Sequence, residues 1–379
     1  MTRPFRWFFP LAALFSAVSG LHWMAGLSGL RALPAHASLW HGHEMLFGFA
    51  GAVIAGFVLT AVANWTGRQA IGPAALLALV ALWLAGRLAI LAQANQYLPW
   101  PLLATIEGAF LPALALAVSQ VLIRTRNTRN LIFVPFLCGL ALLNLAFHVT
   151  LGLGEVDAAR RLLTLTAWLV GFLLVFMGGR VIPFFSGRRC AYTPRQWPAL
   201  NWTSTLGALA AGFALSLAPG TGLAAALAAL AALATGLRLA AWQSPSVWRE
   251  PMLWILHLGY AWLAAAFALA ALVHAEVLTW PQTAPLHALL TGGLGCLALG
   301  MMSRVALGHS GREIAASLTM LLAFALVVAA GFTRVGSYAD WPGAGTEWLA
   351  ISAILWALAY ALHALEFIAR LWPPEHVNG

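Results

Sequence analysis

Charge is what this chain has least of. Only 8% of its 379 residues are charged and 62% are apolar, where soluble domains carry about 25% charged and roughly 45–50% apolar residues. That balance excludes a soluble globular protein and leaves an integral membrane protein made almost wholly of spans and short loops. Lysine is absent: all 20 basic residues are arginine, a bias better attributed to codon composition than to chemistry. No basic stripe interleaved with aromatics occurs, so the formal charge of +9 fits loops at an anionic lipid surface, with no nucleic-acid partner. Cysteine is scarce as well. Cys138, Cys190 and Cys296 stand far apart without C-x-x-C spacing, which argues against a disulfide frame, an iron–sulfur cluster and a cysteine-type zinc site. No linker sets off a soluble module, and a single polytopic domain over 1–379 is expected. The first apolar run, near Trp7 after Arg3 and Arg6, is too long for a secretory signal and lacks a cleavage pattern; it reads as a retained first span.

What the chain does have is long apolar runs. A helix needs about 20 mostly apolar residues to cross the hydrocarbon. On that rule twelve transmembrane helices are expected, near 7–30, 40–64, 71–94, 99–123, 130–151, 159–185, 200–220, 222–242, 250–275, 283–307, 315–333 and 346–371. The weakest division is Pro219-Gly220-Thr221-Gly222, between the seventh and eighth. With the amino terminus inside, the inner segments hold 15 arginines and the outer ones only Arg31, Arg160, Arg161 and Arg334, a bias that places both termini in the cytoplasm. Trp40, Trp100, Trp202, Trp280, Trp341 and Trp372 lie near span ends, as interfacial anchors do.

Topology sorts the histidines into two tiers. His22, His41, His43, His148 and His287 fall toward the outer face, whereas His257, His309 and His363 fall toward the inner one. Imidazole inside a bundle is costly, so it lines a cavity, pairs, or holds a metal. His41 and His43 are two residues apart, about 200° on a helix, so both can face one centre only if His41 sits in a cap or turn. Asn144 lies one turn before His148, and Thr291 one turn after His287, each placed to touch a ligand or support one. Glu44, near a helix amino terminus, suits the macrodipole. Imidazole without thiolate points to haem, copper, non-haem iron or zinc. Arg87 and Glu107 lie at similar depth on consecutive spans and are expected to pair, either as a buried ion pair fixing register or with Glu107 as a proton relay. Arg180 ends the sixth span and Arg304 the tenth; a guanidinium fork there suits carboxylates such as haem propionates, and a snorkelling arginine is the plainer account. His257 and Tyr260 share one turn of the ninth, as a second metal site or a hydrogen-bonded core pair.

Several runs together resemble the NnrS family of membrane proteins. They are Trp40-His41-Gly42-His43-Glu44-Met45-Leu46-Phe47-Gly48-Phe49, Asn64-Trp65-Thr66-Gly67, Gly178-Gly179-Arg180-Val181-Ile182-Pro183-Phe184-Phe185, Leu256-His257-Leu258-Gly259-Tyr260-Ala261-Trp262, His287-Ala288-Leu289 and Leu307-Gly308-His309-Ser310-Gly311-Arg312. The resemblance runs from Phe5 to about Leu371. It implies a twelve-helix inner-membrane protein that contains haem and copper and is associated with the response to nitric oxide and with denitrifying metabolism. Gly42, Ala63, Glu107 and Ser310 stand where the family commonly has Ala, Pro, Asp and Thr, and none of these removes a candidate ligand. The carry-over selects His41, His43, His148, His257, His287 and His309, without dividing them between haem and copper. His22, His36, His274, His363 and His376 lie outside those motifs and are read as packing or surface residues.

The resulting expectation is a haem and copper membrane protein, in the bacterial inner membrane, that binds nitric oxide or an iron–nitrosyl adduct. The metal is expected on His41, His43, His148 and His287, with His257, His309, Arg180 and Arg304 toward the haem and Glu107 moving protons. A redox version would draw electrons from quinol. A transporter of a metal, haem or small solute is the main rival, and a haem-binding sensor or assembly factor without turnover a third.

Overall fold

In lipid every backbone N–H and C=O must be satisfied within its own segment, so an apolar chain of this kind has helices as its natural solution. The computed structural model describes residues 3–30, 36–94, 98–339 and 345–371, and every regular element among them is helical. Twelve helices of membrane length follow one another: α1 Phe5–Leu27, α2 Ala37–Thr66, α3 Pro73–Ala94, α4 Trp100–Arg124, α5 Thr128–Gly152, α6 Val156–Cys190, α7 Pro198–Leu217, α8 Gly222–Ala240, α9 Pro251–His274, α10 Thr283–His309, α11 Leu318–Gly336 and α12 Thr346–Arg370. All but α7 are both long and apolar enough to span on that test alone. The expected polytopic bundle is therefore present. Arg31, Trp341, Trp372 and His376 lie outside the described residues.

Local chemistry sets the breaks. Pro198 and Pro251 open α7 and α9, where a missing N–H costs nothing. The weak division between α7 and α8 is real. Gly220 takes φ +77° there, its N–H donates to His274 Nδ1 at 2.8 Å, and the Thr221 hydroxyl caps α8 by accepting from the Ala224 N–H at 3.2 Å. The buried imidazole of His274 is thus a structural residue tying a turn.

The chain divides into two compact units, Met1–Thr166 with Phe367–Gly379, and Ala167–Glu366. The boundary falls inside α6. In the first unit Phe8 packs on Phe110 with ring centroids 6.0 Å apart, and Gly56 leaves room for Phe8 and Phe9 of α1. In the second, Trp168 stacks on Phe267 at 5.2 Å, and Gly300 leaves room for Ile255 and Leu256 of α9.

The two units share a local frame. In α2, His43 closes a short α-helical start and a π-helical turn runs Glu44–Ala50 before α-geometry resumes at Gly51. In α10, His287 closes the start, the π turn runs Ala288–Leu294, and α-geometry resumes at Gly295. Glycines then recur in one register without a gap: Gly48 with Gly292, Gly51 with Gly295, Gly56 with Gly300, and Gly67 with Gly311, followed by Arg68 and Arg312. Gly67 and Gly311 both have positive φ, +69° and +72°, which glycine adopts without steric cost. The recurrence of Asn64-Trp65-Thr66 at Asn201-Trp202-Thr203, visible in the sequence, does not follow this register.

Orientation by arginine count meets one qualification. Arg238 and Arg304, counted with the inner segments, are buried side chains within α8 and α10. Inner segments still outnumber outer ones without them.

Candidate metal centre

One end of the first unit collects the polar residues. π turns are rare and concentrate at functional sites, and the one beginning at Glu44 presents two consecutive buried polar side chains. Glu44 and His43 are both buried, with His43 Nδ1 3.0 Å from Glu44 Oε1. The Trp83 indole N–H holds the turn from α3 by donating to the Gly48 carbonyl at 3.0 Å. Gly48 has no Cβ, and that space admits Phe15 and the Arg87 guanidinium.

Arg87 is the hub. One Nη donates to Glu44 and the other to Glu107, and the guanidinium lies 5.7 Å from the Phe15 ring and 5.8 Å from the Trp83 ring. Glu107 comes from α4, two residues before the helix is interrupted at Ala109. Its carboxylate fits beside Gly86, where any Cβ would displace it. The expected Arg87–Glu107 pair therefore forms, and Glu44 joins it as a second carboxylate. With the His43 ring neutral, two buried acids against one buried guanidinium leave the group one positive charge short of neutrality. Charges taken out of water are stable only when compensated.

α5 completes the site. His148 is buried, its ring centroid is 4.9 Å from that of His43, and its Nε2 is buried without a hydrogen-bond partner among the described residues. Asn144, one turn earlier, places Oδ1 2.9 Å from His43 Nε2. Ligand atoms of His43, Glu107 and His148 lie within 4.8 Å of one another. Phe47 and Phe147 wall the His43 ring, each with a centroid 4.9 Å away. Two imidazoles and a carboxylate, with an orphaned ring nitrogen and a missing positive charge, form a donor set for a divalent transition metal. Copper fits that set. Zinc and non-haem iron use the same donors.

The other sequence-selected residues lie elsewhere. His41 stacks on Trp23 with centroids 4.6 Å apart, and His22 meets Trp40 edge-on at 5.0 Å; neither belongs to the three-residue cluster. His287 lies in the second unit. The Arg334 Nη2 stands 3.0 Å from its Nε2 and the Tyr338 hydroxyl 2.9 Å from its Nδ1, and a guanidinium at that distance makes the nitrogen a poor ligand for a cation.

The second unit also holds the residues expected toward a haem. His257 is buried with Nδ1 3.1 Å from the Leu253 carbonyl, a bond that fixes the ring and favours Nε2 as the ligating atom. His309 ends α10. Arg304 is buried with its guanidinium 3.9 Å from the Phe185 ring, and Arg180 lies 5.3 Å from Phe176. No carboxylate among the described residues pairs with Arg304. An oriented imidazole with cationic side chains suits an iron ligand and propionates, so these residues fit the chemistry of haem.

Sequence reasoning missed three participants. Glu44 was readable as a helix-start acid, and only the π turn shows it aimed at Arg87. Arg238 reads as a loop arginine yet is buried, donating to Ser204 Oγ at 3.0 Å and Tyr260 Oη at 3.4 Å. Arg334 reads as an outer-loop charge yet bonds His287.

A model of the family described as NnrS protein matches residues 1–375. The chain belongs to the NnrS family. No curated protein is similar enough to the chain to extend that assignment. Membership joins this multi-pass membrane protein to the family of the nitric oxide response, and the buried His43–Glu107–His148 group places three donors where they could hold a metal ion.

Proposed function

We propose that this protein is a haem- and copper-containing protein of the bacterial inner membrane, with both termini cytoplasmic, that binds nitric oxide or iron–nitrosyl species and protects against nitrosative stress. The observation that carries the reading is the buried triad of His43, Glu107 and His148, with its orphaned Nε2 and unbalanced negative charge. In this reading His148 Nε2, His43 and Glu107 hold copper, which would supply a redox-active cation able to take up nitric oxide. His257 and His309 serve the haem, and Arg180 and Arg304 hold its propionates.

The chain's own groups do the rest. Arg87 anchors Glu44 and Glu107 from one guanidinium, so the ligand carboxylate is held before a metal arrives, which lowers the entropic cost of binding. Glu107 Oε1 is committed to Arg87, so proton exchange falls to Oε2. Glu44 orients the His43 ring through Nδ1, and Nε2 would exchange its contact with Asn144 for the metal. Phe47 and Phe147 exclude water, which strengthens every charge interaction at the site. Turnover of nitric oxide by reduction would draw electrons from quinol in the same membrane.

Metal analysis, optical spectra and paramagnetic resonance of the purified protein test the proposal. Stoichiometric copper with nitrogen hyperfine splitting, a haem absorbance, and a spectral change on adding nitric oxide are expected. Protein that binds zinc alone and shows no response to nitric oxide would overturn it. A transporter is the second reading, supported by the recurrence of one frame in both units, since many carriers are built from internal repeats. Uptake of copper or haem into vesicles without a stoichiometric resident cofactor would favour that reading.

A further inference from the structure

Two glycines make the room in which Arg87 and its acids sit. A Cβ at Gly48 would stand 2.7 Å from Arg87 Nη1, and one built on Gly86 would overlap Glu107 Oε2. The second slot is the tighter, and its wall is only the end of a side chain. The Glu107 carboxyl carbon would be 3.2 Å from that Cβ and the Glu107 Cα 3.6 Å, an ordinary backbone contact. Helices α3 and α4 could therefore keep their spacing with alanine at 86, provided the acid ended sooner. Glu107 has no free swing aside: it is buried, its Oε1 accepts from Arg87, and the other Nη of Arg87 is held by Glu44.

The second unit supplies a comparison. The register that pairs Gly48 with Gly292 puts Ala330 of α11 at the place of Gly86 and Ile351 of α12 at the place of Glu107. The corresponding helices meet at this level too, because Ser352 Oγ donates to the Ala330 carbonyl at 2.8 Å. Ala330 is fully buried, so a Cβ is accommodated there, and Ile351 is 46% exposed. Where the neighbouring helix brings no acid, the position carries a Cβ. Where it brings a buried glutamate, the Cβ is missing.

We propose that Gly86 is a positioning residue of the metal centre: by having no side chain it sets the length of the acid that position 107 can hold, and so fixes where the carboxylate ligand meets His43 and His148. Aspartate ends one carbon–carbon bond, about 1.5 Å, nearer the α4 backbone, and would clear a Cβ at 86 that glutamate strikes. The two positions form a matched pair, Gly with Glu or Ala with Asp. Helix preference does not account for the glycine, since alanine is the better residue in a helix interior. The inference rests on the proposed metal reading for its ligand, while the size match stands on packing alone.

Four versions of the full chain in one detergent test the match: the parent, Gly86→Ala, Glu107→Asp and both together, with Gly108→Ala as a control whose added Cβ meets open space. Copper titration and thermal melting are read on each. Gly86→Ala is expected to weaken copper about tenfold or more, the range seen when a ligand loses its support, with altered copper hyperfine splitting and a lower melting temperature. Adding Glu107→Asp should return the affinity to within a few-fold of the parent and raise the melting temperature, so that the double variant binds better than Gly86→Ala alone. Gly108→Ala should match the parent. Losses that simply add in the double variant, or parent affinity and melting in Gly86→Ala, would overturn the proposal. If Gly86→Ala fails to fold, the double variant decides: recovery supports the match and continued failure overturns it. A parent that takes up no copper overturns the metal reading and with it the role of Gly86 in the centre, while the melting temperatures still decide the size match.

Discussion

One backbone frame carries different side chains in the two units of this chain. In the first unit the π turn after His43 carries Glu44, and Arg87 is enclosed by two carboxylates. In the second the π turn after His287 carries Ala288, and Arg334 is surrounded by an imidazole, a phenol and a serine. The glycines that shape both turns are the same, so the geometry is set by small residues and the chemistry by what is grafted on it. At the position after each histidine, Glu44 in the first unit stands against Ala288 in the second.

The largest effect that would test this contrast concerns stability. Arg87→Gln strands two buried acids without their cation, and breaking one partner out of a buried ion pair costs about 3–5 kcal/mol. Arg334→Gln strands no opposite charge, and its neutral partners are only partly buried; a cost under about 1.5 kcal/mol is expected, that of an ordinary hydrogen bond. Thermal melting of both variants in one detergent measures the difference. Equal losses would mean that the Arg87 carboxylates do not depend on it, and the contrast would fail.

Metal content comes next. His148→Ala and His43→Ala should each lose most of the bound copper, since each removes one of three ligand atoms. Glu44→Gln leaves the three ligands in place and should weaken copper by about tenfold, the usual effect of weakening the hydrogen bond that orients a ligand imidazole. His287→Ala should keep the parent content, because its ring faces Arg334. Copper lost equally from His287→Ala and His148→Ala would return His287 to the ligand set.

These variants also mark how much was legible in the sequence. Apolar runs give the helices because lipid leaves no other way to satisfy the backbone, and even the weak break at Gly220 is visible as a Pro-Gly-Thr-Gly stretch. Depth along a helix brings Arg87 to Glu107, since antiparallel neighbours at one level have few other partners. Depth alone also groups His287 with His43 and His148, but level says nothing about which helices share a unit, and His287 lies in the other one. The π turns are not readable from periodicity, because a π turn changes the facing of residues by a fraction of a turn that apolar patterning tolerates. Glu44 is therefore hidden as a cap. The glycine register was available all along at Gly48, Gly51, Gly56 and Gly67 against Gly292, Gly295, Gly300 and Gly311, but glycine is common in membrane helices and the match gains meaning only beside the repeated π geometry.

The smallest effect separates the arginines of the second unit from one another. Arg304 is buried with its guanidinium 3.9 Å from the Phe185 ring, while Arg334 is committed to three polar neighbours. If Arg304 holds a propionate, Arg304→Lys keeps the charge but loses the planar fork that two carboxylate oxygens require. Haem occupancy should then fall by a few-fold, or its reduction potential shift, while bound copper stays at the parent level. If Arg304 only carries charge toward the inner interface, lysine does the same on its long apolar stem, and occupancy and potential stay unchanged. Arg334→Lys supplies the internal comparison: Arg334 bonds His287, Tyr338 and Ser337, and its replacement should leave the haem untouched. A parent haem spectrum and potential in Arg304→Lys would remove Arg304 from the cofactor site.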